Sequence, residues 1–136
     1  MIVVDTNVIA YLLLPSEHTP AARAAYERDP IWAAPLLWRS EFRNVLATSI
    51  HQGHMTLDDA VDVMDVGNEL MEGREYAVDS ADVLNLASLS SCSAYDCEFV
   101  ALAQELGVRL VTADRRIRRS FGEETVSLVD FQGKPA

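Results

Sequence analysis

Lysine occurs once in this chain of 136 residues, at Lys134, and cysteine twice, at Cys92 and Cys97. The shortage of lysine removes a phosphoryl-accepting receiver domain, a small acidic α/β design that needs a lysine at a late strand end. The adjacent acid pair that such a domain carries after its first strand is missing too. Two cysteines five residues apart make neither a CxxC zinc or redox spacing nor a disulfide framework, so both are read as packing residues. There is no GxGxxG or P-loop segment, which excludes dinucleotide and Walker-type nucleotide binding. No uncharged apolar run approaches the roughly 20 residues of a membrane helix. Met1 leads straight into a strand pattern without the basic region of a signal peptide, so a cytoplasmic protein is expected. Internal repeats, linkers and low-complexity segments are absent.

Positive charge is also short. Eleven basic residues face 21 acidic ones, a net charge of −10. This argues against binding nucleic acid over the whole surface, because such binding gains from Lys and Arg releasing phosphate counterions. The imbalance is local, however. Residues 58 to 82 hold nine acids, from Asp58 to Asp82, against the single Arg74, a balance of −8. That leaves −2 for the rest, and four arginines follow Asp114 closely: Arg115, Arg116, Arg118 and Arg119. The acidic stretch is read as a solubilising or partner-facing surface.

What is present is enough apolar residue, 49%, for one globular domain over residues 1–136 with a real core. Ile2 to Val4 is a short β-branched run suited to a strand buried on both faces, and Asp5-Thr6-Asn7 is a natural helix start. A helix from Glu17 to Arg28 stops at Asp29-Pro30, and a strand from Ile31 to Ala34 follows. The stripe Leu37, Phe42, Val45, Leu46, Ile50 predicts a helix ended by Gly53, and Thr56 begins another through Met71. A third strand is expected at Glu75 to Val78, then a helix capped from Asp79 along Val83, Leu86 and Leu89. Ser93 opens the next helix, to Gly107. A fourth strand at Arg109 to Thr112 and a fifth at Val126 to Val129 complete the pattern. Strands alternating with helices give an α/β fold with a central parallel sheet of about five strands flanked by helices.

Four acids fall where such a fold turns from strand to helix: Asp5, Glu41, Asp96 and Asp114. Side chains at the carboxyl ends of parallel strands converge on a crevice. Taken singly, each has an ordinary use. Asp5 and Asp114 suit helix caps, Asp96 is the third residue after Ser93 as in a capping box, and Glu41 suits an early helix turn. Asn44, three residues after Glu41, shares its helix face. Together, carboxylates in one crevice repel one another unless cations hold them. Oxygen-only ligands suit Mg²⁺ or Mn²⁺, and such ions drive phosphodiester hydrolysis.

Asp5-Thr6-Asn7 after a β run, Ser40-Glu41 with Asn44, Tyr95-Asp96 within 89 to 106, and Leu110-Val111-Thr112-Ala113-Asp114 resemble the PIN-domain ribonucleases. Among these, the chain is most similar to the VapC-like toxins of bacterial toxin–antitoxin pairs. The resemblance spans essentially the whole chain. It implies a single PIN domain, a Mg²⁺ or Mn²⁺ cofactor, and endonucleolytic cleavage of RNA. Asp5, Glu41, Asp96 and Asp114 would be the catalytic and metal-holding acids, and Thr6, Asn7, Asn44 and Thr112 the polar groups beside them that orient the carboxylates. It also implies a homodimer and a small antitoxin that blocks the groove.

Arg115, Arg116 and Arg43 are the candidates for holding RNA phosphates, since guanidinium pairs with phosphate bidentately. Arg39 is a further residue expected to meet RNA or an antitoxin carboxylate. Trp32, Trp38 and Tyr11 are read as packing residues rather than base-stacking ones. His51-Gln52-Gly53-His54 is read as an exposed turn, not a metal ligand pair. Two other functions stay open: a solitary PIN nuclease in RNA processing, and a non-catalytic acidic α/β signalling or binding module.

Overall fold

The computed structural model describes residues 1–133; Lys134 lies outside them. Five parallel strands form one sheet in the order β3-β2-β1-β4-β5, with β1 at Ile2–Val4, β2 at Trp32–Pro35, β3 at Glu75–Tyr76, β4 at Leu110–Thr112 and β5 at Thr125–Ser127. Val3 pairs with Ala33 on one side and with Leu110 on the other. The chain moves from β1 outward to β2 and β3, then returns to the opposite side of β1 as β4. That reversal opens a crevice at the carboxyl ends of β1 and β4.

The helices are α1 (Thr6–Leu13), α2 (Thr19–Arg28), α3 (Leu37–His51), α4 (Leu57–Met71), α5 (Ser80–Ser88), α6 (Ala94–Leu106), α7 (Arg115–Ser120) and α8 (Leu128–Gly133). Among the described residues none is long and apolar enough to cross a membrane. Their starts are largely side-chain capped. The carboxylates of Asp5, Asp79 and Asp114 and the hydroxyls of Thr56 and Ser93 all accept from backbone N–H groups of the first turn, each cap contributing about 1 kcal/mol. At the far end of α6, Gly107 takes φ 65°, the left-handed conformation that closes a helix at low cost in glycine.

The sheet is sandwiched. Helix α6 packs against β1, β2 and β4, while α1 packs against α2, α3 and α4. Val3, Val4, Leu110 and Val111 are wholly buried, as continuous apolar runs in a parallel sheet require. Trp32 and Trp38 are buried as well. Gly67 lets α4 approach Trp38, since a Cβ there would stand 3.3 Å from the indole ring. Cys92 and Cys97 are buried and free, and the 51–54 turn is exposed.

Several boundaries differ from the sequence expectation. The fifth strand runs over Thr125–Ser127, and Val129 belongs to α8. Ser127 Oγ accepts from Asp130 N, which turns the chain into a helix at that point. The third strand stops at Tyr76 because β3 is an edge strand whose partner, β2, ends at Pro35 opposite it. The second helix begins at Thr19, with Pro20 in its first turn, rather than at Glu17.

Candidate active site

Asp5 follows β1 immediately, and its carboxylate is tied at both ends. Oδ1 accepts from Val8 N at 3.0 Å, capping α1; Oδ2 accepts from the Thr112 hydroxyl and from Ala113 N at 3.2 Å. Thr112 Oγ1 in turn accepts from Asp114 N at 3.0 Å. The end of β4 and the start of α1 are thus joined through one carboxylate. Asp114 Oδ1 accepts from Arg116 N at 2.8 Å and Ile117 N at 3.2 Å, which fixes Asp114 as the cap of α7.

Glu41 comes from α3, on the other side of α1. Thr6, buried at the first position of α1, donates its hydroxyl to Glu41 Oε1 at 2.7 Å. Asp96 sits in the first turn of α6, held there by Ser93 Oγ, which accepts from Asp96 N at 3.1 Å. All four acids line one cavity of about 270 Å³. Asn7 and Asn44 add amides to its wall, and Val45, Phe99 and Ile117 make its apolar part.

Among the described residues no Lys, Arg or His lines this cavity. Burial first, then the charge of Asp114, raise the Asp5 pKa to about 6 against the lowering effect of its three hydrogen bonds. Burial and the charge of Asp96 likewise raise Glu41, opposed by the Thr6 hydroxyl. Asp5 and Glu41 are thus buried beside further negative charge, with no cation of the described residues in the cavity wall to offset it. In kind and number the donors suit a hard divalent cation. Yet among the described residues no three Asp, Glu, His or Cys side chains already stand together as a closed ligand set, so the carboxylates would have to draw in around an ion.

The arginines lie outside the wall of the acid-lined cavity. Arg43 is exposed and does not line the cavity. Arg115 lines a separate hollow with Arg118 and Arg119, and Arg116 reaches the site only through its backbone N–H. Arg118 approaches Asp130 at 3.9 Å. Arg39 is committed to Glu75, with Nε to Oε2 at 2.5 Å and an Nη to Oε1 at 2.6 Å, because the α3 helix turns it toward β3 and away from Glu41.

Sequence reasoning missed Glu98. Its pKa is raised by burial and by the charge of Glu41, while its side chain lines a hollow with Leu36 and Tyr76. Its separation of two from Asp96 on α6 points it off the Asp96 face, so no periodicity marked it. The Ala113 N–H was also unmarked, as backbone donors leave no trace in residue type.

Fold and site together define an α/β domain with a carboxylate-lined crevice at the reversal point of a parallel sheet. Residues 2–120 match the PIN domain family model, and the chain belongs to that family. It is 28% identical over 123 residues to Ribonuclease VapC3 of Pyrobaculum aerophilum, covering 88% of this chain and 94% of that one. Among solved structures it is similar to PAE2754 of Pyrobaculum aerophilum, with TM-score 0.74 and 18% identity over 97% of this chain and 96% of that one. It is also similar to a toxin-antitoxin complex from Klebsiella pneumoniae, with TM-score 0.70 and 15% identity over 94% of this chain and 98% of that one.

Proposed function

We propose that the chain is a divalent-metal-dependent endoribonuclease acting as the toxin of a toxin–antitoxin pair. The observation that carries the chemistry is the convergence of Asp5, Glu41, Asp96 and Asp114, drawn from four separate elements, on one cavity that no basic side chain of the described residues lines. Similarity to Ribonuclease VapC3 supports RNA as substrate, and similarity to a toxin-antitoxin complex supports a small inhibitory partner.

The four carboxylates would hold Mg²⁺ or Mn²⁺, which supplies Lewis acidity at phosphorus and promotes ionisation of the attacking water. Thr112 and Ala113 N orient the Asp5 carboxylate, and Thr6 orients that of Glu41. Asn7 and Asn44 present amides able to hydrogen-bond phosphate oxygens. Phe99, Val45 and Ile117 restrict bulk water on the remaining wall. Arg115, Arg118 and Arg119, on the exposed side of α7, offer charge to the strand beyond the crevice.

The test is titration with Mn²⁺ followed by cleavage of single-stranded RNA. Asp5→Asn and Asp96→Asn should each lose at least about a hundredfold in cleavage, the scale of removing one electrostatic partner of a transition state. Undiminished cleavage in both variants, or no binding of Mn²⁺, would sink the metal-nuclease reading.

A further inference from the structure

A second cavity opens directly off the acid-lined one. Its volume is about 550 Å³, and it shares Asn7 and Val45 with the crevice. Helix geometry makes the two continuous. On α1, Asn7 and Tyr11 stand four residues apart with Leu14 just past the helix end, and on α3, Glu41, Val45 and Ser49 recur at intervals of four. Each set is therefore one helix face. The two helices pack together, and both faces begin at the carboxylates and run into the second cavity. Four residues of α1 advance about 6 Å, so Tyr11 stands a nucleotide-sized step from Asn7.

The lining changes character along that step. The first cavity is carboxylate-rich; among the described residues the second has no Asp, Glu, Lys or Arg in its wall. Tyr11, Leu14 and Met55 give it apolar surface, with Ser49 and His54 as hydrogen-bonding groups. The Tyr11 ring is propped by His18, with centroids 4.4 Å apart. A neutral, largely apolar hollow with a few polar groups suits a flat heterocycle better than a phosphate or a charged peptide end. Unpaired bases splayed from a strand are recognised in this way, by an aromatic face and edge hydrogen bonds.

We propose that this hollow is a nucleobase subsite. An unpaired base beside the scissile phosphate lodges against Tyr11, Leu14 and Met55, and Ser49 and His54 read its edge. The α1–α3 trough then selects where the strand is cut. This deepens the nuclease reading and rests on it.

The experiment separates the two. Binding is followed with the Asp5→Asn chain and short single-stranded RNAs carrying a fluorescent adenine analogue at successive positions. Cleavage is followed with the unaltered chain and the same RNAs made abasic at each position in turn. One position is expected to change fluorescence on binding and to lose about tenfold in kcat/KM when its base is removed, the usual scale of one base stacked on an aromatic ring. Tyr11→Leu should cost a similar factor, Tyr11→Phe should largely restore it, and the losses from base removal and Tyr11→Leu should not multiply. His54→Ala should alter which base is preferred.

RNA that is bound and cut with no position depending on Tyr11 overturns the subsite and leaves the nuclease reading intact. Tyr11-dependent fluorescence without cleavage in the unaltered chain supports the subsite and fails the nuclease reading. An apolar helical peptide that binds in a Tyr11-dependent way, while no RNA position does, makes the hollow a protein-docking site and overturns the proposal. A chain that neither binds nor cuts RNA overturns both.

Discussion

Helix α3 carries two carboxylate environments within one turn of each other. At Trp38 and Arg39 it meets Glu75 from β3, whose two oxygens accept three hydrogen bonds, one from the indole Nε1 at 2.7 Å and two from the guanidinium. Those bonds, the Arg39 one foremost, hold the Glu75 pKa below the usual carboxylate value. Two residues on, Glu41 points to the other side. It has a single hydroxyl partner, and burial first, then the charge of Asp96, raise its pKa. One region spends its acid on fastening an edge strand. The other leaves acids under-compensated, as a site awaiting a cation would.

The contrast can be broken most severely at Thr6. Thr6→Val removes the Glu41 hydrogen bond while keeping the volume nearly unchanged, and divalent-cation affinity measured by calorimetry should fall by about 10- to 100-fold. An unchanged affinity would mean that Glu41 is no part of a metal site.

Asp5 sharpens the contrast through pH. Its folded pKa lies above the ordinary carboxylate value of 3.8, at about 6, so its contribution to stability is fully present below 3.8 and is lost as pH rises through about 6. Asp5→Asn stays neutral throughout. In the metal-free protein the variant should therefore gain stability relative to the parent, by on the order of 2–3 kcal/mol between pH 4 and pH 7. Chemical denaturation at a series of pH values measures this, and added Mg²⁺ should stabilise the parent preferentially. A flat difference would show that Asp5 is not strained by burial.

Glu75 should behave with the opposite sign. Glu75→Gln is expected to destabilise the fold at neutral pH by about 1–3 kcal/mol, the scale of hydrogen bonds to a charged group. Because its folded pKa is lowered, the stabilisation is present above the ordinary value of 4.5 and lost as pH falls, so parent and variant should converge in acid. RNA cleavage per folded molecule should be unaffected. A loss of cleavage with no loss of stability would place Glu75 functionally with the crevice acids.

Much of this was legible locally. Apolar runs marked β1 and β4, and Ser93, Asp79 and Thr56 marked helix starts, since caps and strand burial depend on neighbours a few residues away. The weak points were also local: Val129 reads equally well in a strand or a helix, and a β-like Ala77-Val78 has no partner to extend β3. The partner of Arg39 was hidden for the opposite reason. Spacing alone could not tell that α3 turns Arg39 onto Glu75, 36 residues away.

By itself, then, the sequence determined the alternation of strands and helices and set each of the four acids at or near a helix start, because hydrophobic period and capping are properties of short segments. Tertiary structure decided what those acids are to one another. Placing β4 beside β1 brings Thr112 to Asp5 across 107 residues, and packing α1 against α3 joins Thr6 to Glu41 and opens the neutral hollow beside them. Charge and desolvation act through space, so the raised proton affinity of Asp5 exists only once distant segments have closed around it.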